Sequence, residues 1–288
     1  FSGRHVARRQ GGAGQYIDSR EYSPGDDLRR LDWPAMGRTG RAYIRLYQDE
    51  TNLSCLMTLD ASGSMHFGAR SRMDDHGSKL EWMKYFSTAL SHLIALGKDQ
   101  VGIAVAKQEQ IVPRSMTAWS VSQQQSDQRF LAPGASPRHV RMLHSQIANL
   151  VAGGKTELAQ SLDDTFLRTR RRGVLMVVSD FLVKPLDDVI RSLRKFRGRG
   201  WETIAIHVVH PDEESLPKGI AFRFSGLEGE LPVDCRPSEI RSVYQDRFNA
   251  HCVRVRDGLL GAGCDYRRFS TSTPYLEAVR QFLVPRRG

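Results

Sequence analysis

The chain has 288 residues, of which 40% are hydrophobic and 26% are charged. This balance is ordinary for a globular protein, and the length suits one large α/β domain or two small ones. No apolar run approaches the length needed to cross a bilayer, so the sequence predicts no membrane-spanning segment. The net charge of +10 favours acidic partners. The basic residues are nevertheless spread along the chain, as expected for solvated helix faces.

Four cysteines lie far apart at positions 55, 235, 252 and 264, and none belongs to a C-x-x-C pair. This spacing predicts a reducing compartment without a disulfide framework or a zinc knuckle. The first residues have no apolar stretch typical of a secretory signal. We therefore expect a cytoplasmic protein. The chain begins at Phe1 rather than Met, so this expectation leaves open an upstream segment, including a membrane anchor.

Residues 1–40 are rich in Gly, Arg and Asp and are predicted to form loops with short strands. Beyond them, apolar runs indicate strands, and apolar residues at helical spacing indicate helices. Strands are predicted at 41–48, 53–59, 101–106, 173–179, 203–209, 221–224 and 264–269, with a short hairpin strand near 109–112. Helices are predicted at 79–97, 137–150, 157–170, 186–198 and 237–257, and after Thr273 as cap with Pro274 in the first position. Residues 115–136 are polar and are predicted to form a long loop.

Buried strands that alternate with amphipathic helices predict an α/β fold with a doubly wound, mainly parallel, Rossmann-like sheet. Such sheets bind ligands at the carboxyl ends of strands, where the strand order reverses. In the order 3-2-1-4-5-6, the first and fourth strands are neighbours. The ends of the strands at 53–59 and 173–179 are therefore where a site is expected.

The run DASGSM follows the first of these strands and places Asp60, Ser62 and Ser64 along one loop. Hard oxygen ligands without His or Cys favour Mg²⁺ or Mn²⁺ over zinc or copper. The pattern D-x-S-x-S is weak when it stands alone. The alternative interpretation is a loop in which Asp60 and Ser62 cap the N-terminus of the following helix.

Two further oxygen donors are expected near this loop. Thr156 follows a Gly-Gly-Lys run, and Asp180 follows the strand at 173–179. Thr156 is also a suitable N-cap for the next helix, and Asp180 a suitable turn residue. Because both lie beside the expected switch point, we predict a cation site formed by Asp60, Ser62, Ser64, Thr156 and Asp180.

This set of residues resembles the metal-ion-dependent adhesion site of von Willebrand A domains. The runs REYSPGDDLRRLDW and GRTGRAYIRLYQDE resemble the signature of the DUF58 family, and together the two resemblances cover nearly the whole chain. They imply a DUF58-type segment at 1–50 that packs on a von Willebrand A-type domain at 51–288. They also imply a non-enzymatic interaction module in which a partner's Asp or Glu completes the shell of the cation. Proteins of this kind are associated with MoxR-type AAA+ ATPases in chaperone-like assembly or cofactor insertion.

The N-terminal signature concentrates charge and one aromatic residue in a short run. Its members are Asp26, Asp27, Arg29, Arg30, Asp32 and Trp33. Paired arginines and carboxylates favour a structural cluster of ion pairs that folds this segment onto the core. A second metal site and a docking surface are the alternatives.

The sequence offers weaker support for three other functions. NLVAGGKT approaches a P-loop, but Asn149 replaces the first Gly, and a helix rather than a strand is predicted before it. A metal-dependent phosphatase of the haloacid dehalogenase kind needs an acid two residues after its first Asp, where Ser62 stands. Nucleic-acid binding depends only on the net charge and would show as a steep salt dependence.

Overall fold

The structure is a computed structural model, and it describes residues 15–48, 53–68, 77–106, 129–155, 157–169, 172–216, 222–224, 226–227 and 233–284. Contacts divide the chain into two compact units, residues 1–52 and 53–288. Within the described ranges, no helix combines the length and apolarity that a bilayer crossing requires.

The N-terminal unit contains a two-stranded antiparallel sheet of β1 (Gln15–Glu21) and β2 (Tyr43–Gln48). The connection between the strands contains a 3-10 turn (Leu28–Arg30) and helix α1 (Trp33–Thr39). Helix α1 begins where the Asp32 carboxylate accepts a hydrogen bond from the amide of Ala35 at 3.1 Å. The signature segment therefore forms local helical structure between two strands.

The larger unit is built on a six-stranded sheet. Its strands are β3 (Ser54–Asp60), β4 (Gln100–Ala106), β5 (Phe130–Gly134), β6 (Val174–Ser179), β7 (Glu202–Val209) and β10 (Asp265–Ser270). They lie in the order β10-β7-β6-β3-β4-β5, with β5 antiparallel and the others parallel. A separate hairpin joins β8 (Phe222–Phe224) and β9 (Val233–Cys235). The predicted mainly parallel sheet is confirmed, and so is the adjacency of the strands at 53–59 and 173–179.

Seven helices of this unit lie within the described residues. They are α2 (Lys79–Leu96), α3 (Pro137–Ala148), α4 (Leu158–Arg168), α5 (Leu186–Gly198), α6 (Pro211–Glu214), α7 (Pro237–Gly261) and α8 (Tyr275–Leu283). Helices α2, α3 and α8 contribute to one buried apolar cluster, and α4, α5 and α7 to the other. The sheet lies between the two clusters, as a doubly wound fold requires.

Alternation along β3 assigns its side chains to the two clusters. Met57 and Leu59 belong to the cluster with α2, whereas Leu56 belongs to the cluster with α4 and α5. Since successive side chains of a strand point to opposite faces, Asp60 leaves the sheet on the same face as Leu56. Strand β3 therefore ends with a carboxylate directed away from α2.

Two predicted boundaries differ from the structure. The predicted loop at 115–136 contains strand β5, whereas the predicted hairpin strand near 109–112 lies outside the described residues. Strand β5 reads FLAPG, but it directly follows a long polar stretch and contains Pro133 and Gly134, which are uncommon inside strands. Its strand character is therefore not apparent from the sequence. The last helix begins at Tyr275, so Pro274 rather than Thr273 holds the N-cap position.

Helix α2 begins with a reciprocal pair of hydrogen bonds. The Ser78 hydroxyl accepts from the Glu81 amide at 3.1 Å, and the Glu81 carboxylate accepts from the Ser78 amide at 2.9 Å. We expect Ser78→Ala to lower the free energy of unfolding by about 1 kcal/mol, because one amide of the first turn loses its acceptor. Urea unfolding would measure the loss. Glu81→Gln keeps a side-chain acceptor and should lose less.

Candidate metal centre

The carboxyl ends of β3 and β6 meet at one edge of the sheet. Leu59 of β3 pairs with Val178 of β6, so Asp60 and Ser179 are adjacent and share a face. The Ser179 hydroxyl donates a hydrogen bond to Oδ2 of Asp60 at 2.6 Å. Asp60 is fully buried, so its carboxylate is held at a fixed place at the end of the strand.

The loop after Asp60 turns its serines toward each other. The Ser62 amide donates to Oδ1 of Asp60 at 2.9 Å, which folds the loop back on the strand. The hydroxyls of Ser62 and Ser64 lie 3.1 Å apart. Ser62 occupies the N-cap position of the 3-10 turn at Gly63–His66, yet its side chain makes no capping hydrogen bond there. Its hydroxyl faces Ser64 instead.

The loop before α4 lies against the loop after Asp60. The Gly63 amide donates to the Gly154 carbonyl at 2.9 Å, and the Gly153 amide donates to the Ala61 carbonyl at 3.0 Å. Gly154 has a φ of +73°, a left-handed conformation that a side chain disfavours. Thr156 lies outside the described residues, so its place relative to these two loops stays a prediction.

Asp180 completes the set of described residues at this edge. Its Oδ1 accepts a hydrogen bond from the Leu182 amide at 3.1 Å, and its carboxylate accepts one from the Ser64 hydroxyl. Asp60, Ser62, Ser64 and Asp180 thus lie on two adjacent strand ends and one loop. We call these four residues the candidate metal centre.

A buried ammonium, absent from the sequence-based prediction, contacts this centre. The Nζ atom of Lys79 lies 2.6 Å from Oδ2 of Asp180 and 2.6 Å from Oε1 of Glu213. The Lys79 side chain has no solvent exposure, and that of Glu213 is 10% exposed. We call Lys79, Asp180 and Glu213 the buried ion-pair group. It joins the start of α2, the end of β6 and the short helix after β7.

The spacing of apolar residues in the sequence indicates that Lys79 is buried, although composition alone does not. It precedes Trp82, Met83 and Phe86 by three, four and seven residues, so it lies on the buried face of α2. A charged residue on the apolar face of a helix requires a buried partner of opposite charge. The sequence indicates the burial of Glu213 less clearly, because Glu213 lies in the polar run PDEES after a strand.

Burial and charge shift the pKa values of these acids in different directions. Burial, reinforced by the charge of Asp180, raises the pKa of Asp60 to about 6. Burial also acts to raise the pKa of Asp180, but the Lys79 ammonium and the hydrogen bonds from Leu182 and Ser64 together hold that pKa below its usual value. Burial keeps the pKa of Glu213 raised despite the same ammonium. Lys79 therefore favours the ionised form of both Asp180 and Glu213.

The oxygen donors of the candidate metal centre fit a hard divalent cation. Two carboxylates and two hydroxyls are the ligand types that Mg²⁺ and Mn²⁺ favour. The candidate metal centre and the ion-pair group together contain three carboxylates and one ammonium, and this ammonium contacts Asp180 and Glu213. These groups carry a net charge of −2 when all are ionised. No group of three or more His, Cys, Asp or Glu side chains is placed to hold a metal within the described part of the chain. Hydroxyls, water or an outside carboxylate would therefore complete the shell.

The signature residues of the N-terminal unit make local contacts. Asp26 pairs with Arg20 at 2.6 Å, and Asp32 pairs with Arg45 at 3.0 Å. The Asp27 carboxylate accepts from the amide of Arg29 and caps the 3-10 turn, which ends at Arg30. The Arg20 and Arg45 hydrogen bonds lower the pKa values of Asp26 and Asp32. Asp26 and Asp32 thus pair with arginines of the two runs that resemble the DUF58 signature.

One aromatic residue of the signature is exposed to solvent. Trp33 retains 65% of its accessible surface, and Leu28 at the start of the 3-10 turn retains 59%. An exposed Trp contributes little to a core and forms no ion pair. The interpretation of the signature as a structural cluster of ion pairs therefore does not explain Trp33.

The chain is similar to curated proteins that have no described role. It is 26% identical over 293 residues to an uncharacterized protein of Mycobacterium bovis, and the same figures hold for its counterparts in two strains of Mycobacterium tuberculosis. The match covers 99% of this chain and 83% of each relative.

Several solved structures are similar over parts of the chain. BatB of Bacteroides thetaiotaomicron is 13% identical with a TM-score of 0.46, covering 80% of this chain and 96% of BatB. A von Willebrand factor type A protein of Catenulispora acidiphila is 13% identical with a TM-score of 0.41, covering 83% and 43%. Manganese-loaded TRAP protein of Plasmodium vivax is 13% identical with a TM-score of 0.38, covering 54% and 56%. The family model described as protein of unknown function DUF58 matches residues 18–254, and the chain therefore belongs to the DUF58 family.

Proposed function

We propose that this protein is a non-enzymatic interaction module that uses a bound Mg²⁺ or Mn²⁺ to grip a carboxylate of a partner protein. Asp60, Ser62, Ser64 and Asp180 would hold the cation, with Thr156 as a further hydroxyl ligand. The observation that carries this proposal is that Asp60, Ser62, Ser64 and Asp180 converge at one sheet edge, where two hydroxyls lie beside two buried carboxylates. The cation would supply positive charge for an acidic group from outside.

The contacts of Asp60 support binding rather than catalysis. Both of its oxygens accept hydrogen bonds, one from Ser62 and one from Ser179. A nucleophile or a general base needs an oxygen directed at a substrate. The carboxylate is instead held in place from two sides, which suits a metal ligand.

The partner proposed here is a MoxR-type AAA+ ATPase, and the proposed setting is chaperone-like assembly or cofactor insertion. This choice follows from the family resemblance and the ligand chemistry. A cation with few anionic protein ligands keeps affinity for one more carboxylate, so the partner must offer an exposed Asp or Glu. The protein should be retained on an immobilised MoxR-type ATPase in Mg²⁺ and released by EDTA. Retention that is equal in Mg²⁺ and EDTA would contradict the proposal.

Cation binding should weaken in mild acid. Asp60 must be ionised to bind a metal, and its pKa is about 6 in the metal-free protein. We expect the apparent affinity for Mn²⁺ to fall by up to roughly tenfold for each pH unit below 6 and to change little above 7. Titrations with Mn²⁺ followed by electron paramagnetic resonance between pH 5 and pH 8 would measure this. An affinity that is independent of pH would remove Asp60 from the ligand set.

A further inference from the structure

The oxygen atoms of Asp180 are shared among several donors. Oδ2 contacts the Lys79 ammonium at 2.6 Å, and Oδ1 accepts from the Leu182 amide at 3.1 Å. The Ser64 hydroxyl also hydrogen-bonds to this carboxylate. A cation bound beside Ser64 would therefore share Asp180 with a positive charge that the protein already holds.

Glu213 lies on the other side of this ammonium. Its Oε1 contacts Lys79 at 2.6 Å, and its Oε2 accepts from the His210 amide at 3.0 Å. The charge that acts on Asp60 is that of Asp180. Asp180 thus belongs to the candidate metal centre and also contacts Lys79. Glu213 contacts Lys79 but does not belong to the candidate metal centre.

We propose that Lys79 is a built-in counter-cation that lowers the affinity of the site for its metal by occupying Asp180. This inference rests on the proposed function, since it concerns the same metal. A divalent cation meets repulsion from the nearby ammonium and receives less than a full negative charge from Asp180. The metal then retains positive charge that an outside carboxylate can neutralise. Lys79 is a positioning residue here, because it acts through Asp180.

The double substitution Lys79→Met with Glu213→Gln tests this inference at constant charge. It removes one positive and one negative charge and keeps both side chains close to their original lengths. The net charge of the candidate metal centre and the ion-pair group stays at −2. A change in affinity therefore reflects the loss of the ammonium beside Asp180 and not a change in net charge. We expect the dissociation constant for Mn²⁺ to fall at least tenfold relative to the wild type. Titration calorimetry and Mn²⁺ electron paramagnetic resonance measure this without a partner.

Glu213→Gln alone provides an independent test that leaves Lys79 in place. It leaves Asp180 as the one carboxylate in contact with the ammonium and removes one negative charge, so Mn²⁺ binding should weaken severalfold. Circular dichroism on the same samples shows whether each variant is folded. An unchanged affinity in Glu213→Gln overturns the inference even if the double variant fails to fold.

The outcomes separate this inference from the proposed function. Equal Mn²⁺ affinity in the folded double variant and the wild type overturns the role of Lys79 and leaves the metal site standing. Absence of binding in both proteins overturns both proposals. Binding in the double variant but not in the wild type supports the inference that Lys79 opposes metal binding. The same result overturns the metal-dependent function of the wild type. Addition of Asp60→Asn to the double variant should abolish its binding, and a persistent signal would place the metal elsewhere.

Discussion

Replacing Asp60 with Asn is expected to stabilise the metal-free protein near neutral pH and to abolish its stabilisation by Mg²⁺ or Mn²⁺. The wild-type carboxylate is fully buried, and its pKa is raised from 3.8 to about 6. A raised acid pKa means that folding favours the protonated form, so the ionised form destabilises the fold above pH 6. A shift of this size corresponds to about 3 kcal/mol at pH 7.

The sign of the pH dependence follows from the same shift. The contribution of Asp60 is absent below its unfolded pKa, grows between pH 4 and pH 6, and is complete above pH 6. Asn cannot ionise, so the variant should lack this part of the pH dependence. Its amide can still accept from Ser62 and donate to the Ser179 hydroxyl, which preserves the packing of the strand end.

Thermal unfolding in EDTA and in millimolar Mg²⁺ or Mn²⁺ measures both parts of this prediction. The wild type should gain stability on addition of the metal, since a ligand that binds only the folded state stabilises it. Asp60→Asn should begin at a higher melting temperature and show no gain. Asp163→Asn is a suitable control because Asp163 pairs with Lys195 on the surface, where the pair contributes little. A variant that keeps the full metal response would show that Asp60 is not a ligand.

The sequence predicted the parts of this fold that follow from local patterns. The run LSCLMTL is apolar on both faces, so a strand covered by helices on both sides was expected, and the alternation of Met57 and Leu56 between two clusters confirms this. The position of Asp60 next to the strand at 174–179 followed from topology rules for doubly wound sheets. Strand β5 could not be predicted in this way, because its pairing with β4 joins segments separated by a long polar stretch.

The buried ion-pair group shows why the electrostatics of the site were not predictable from motifs. Lys79, Asp180 and Glu213 lie on three separate elements, and 101 residues separate the first two. A motif describes a single stretch of chain, so it identifies the ligands of one loop and not the charge that faces them. The buried face of α2 indicated that Lys79 needed an acidic partner, but only the folded chain specifies Asp180 and Glu213.

Replacing Lys79 with Met is expected to cause a large loss of stability. Met keeps most of the length and the apolar packing of the side chain, so the main change is the removal of the ammonium. Asp180 and Glu213 then remain buried near each other without their cation. Breaking a buried ion pair in this way typically costs about 3–5 kcal/mol. Denaturant unfolding at pH 7 in EDTA would measure the loss.

A matched substitution on the surface distinguishes the effect of losing the buried ammonium from the effect of losing any lysine. Lys195 contacts Asp163 at 2.7 Å with 41% of its side chain exposed, so Lys195→Met should cost less than about 1 kcal/mol. The loss in Lys79→Met should also shrink between pH 8 and pH 5. Glu213 already has a raised pKa, and without the ammonium it takes up a proton more readily, which removes one unpaired charge. Equal small losses in the two variants would mean that water or rearrangement replaces Lys79, and the ion-pair group would then not hold the three elements together.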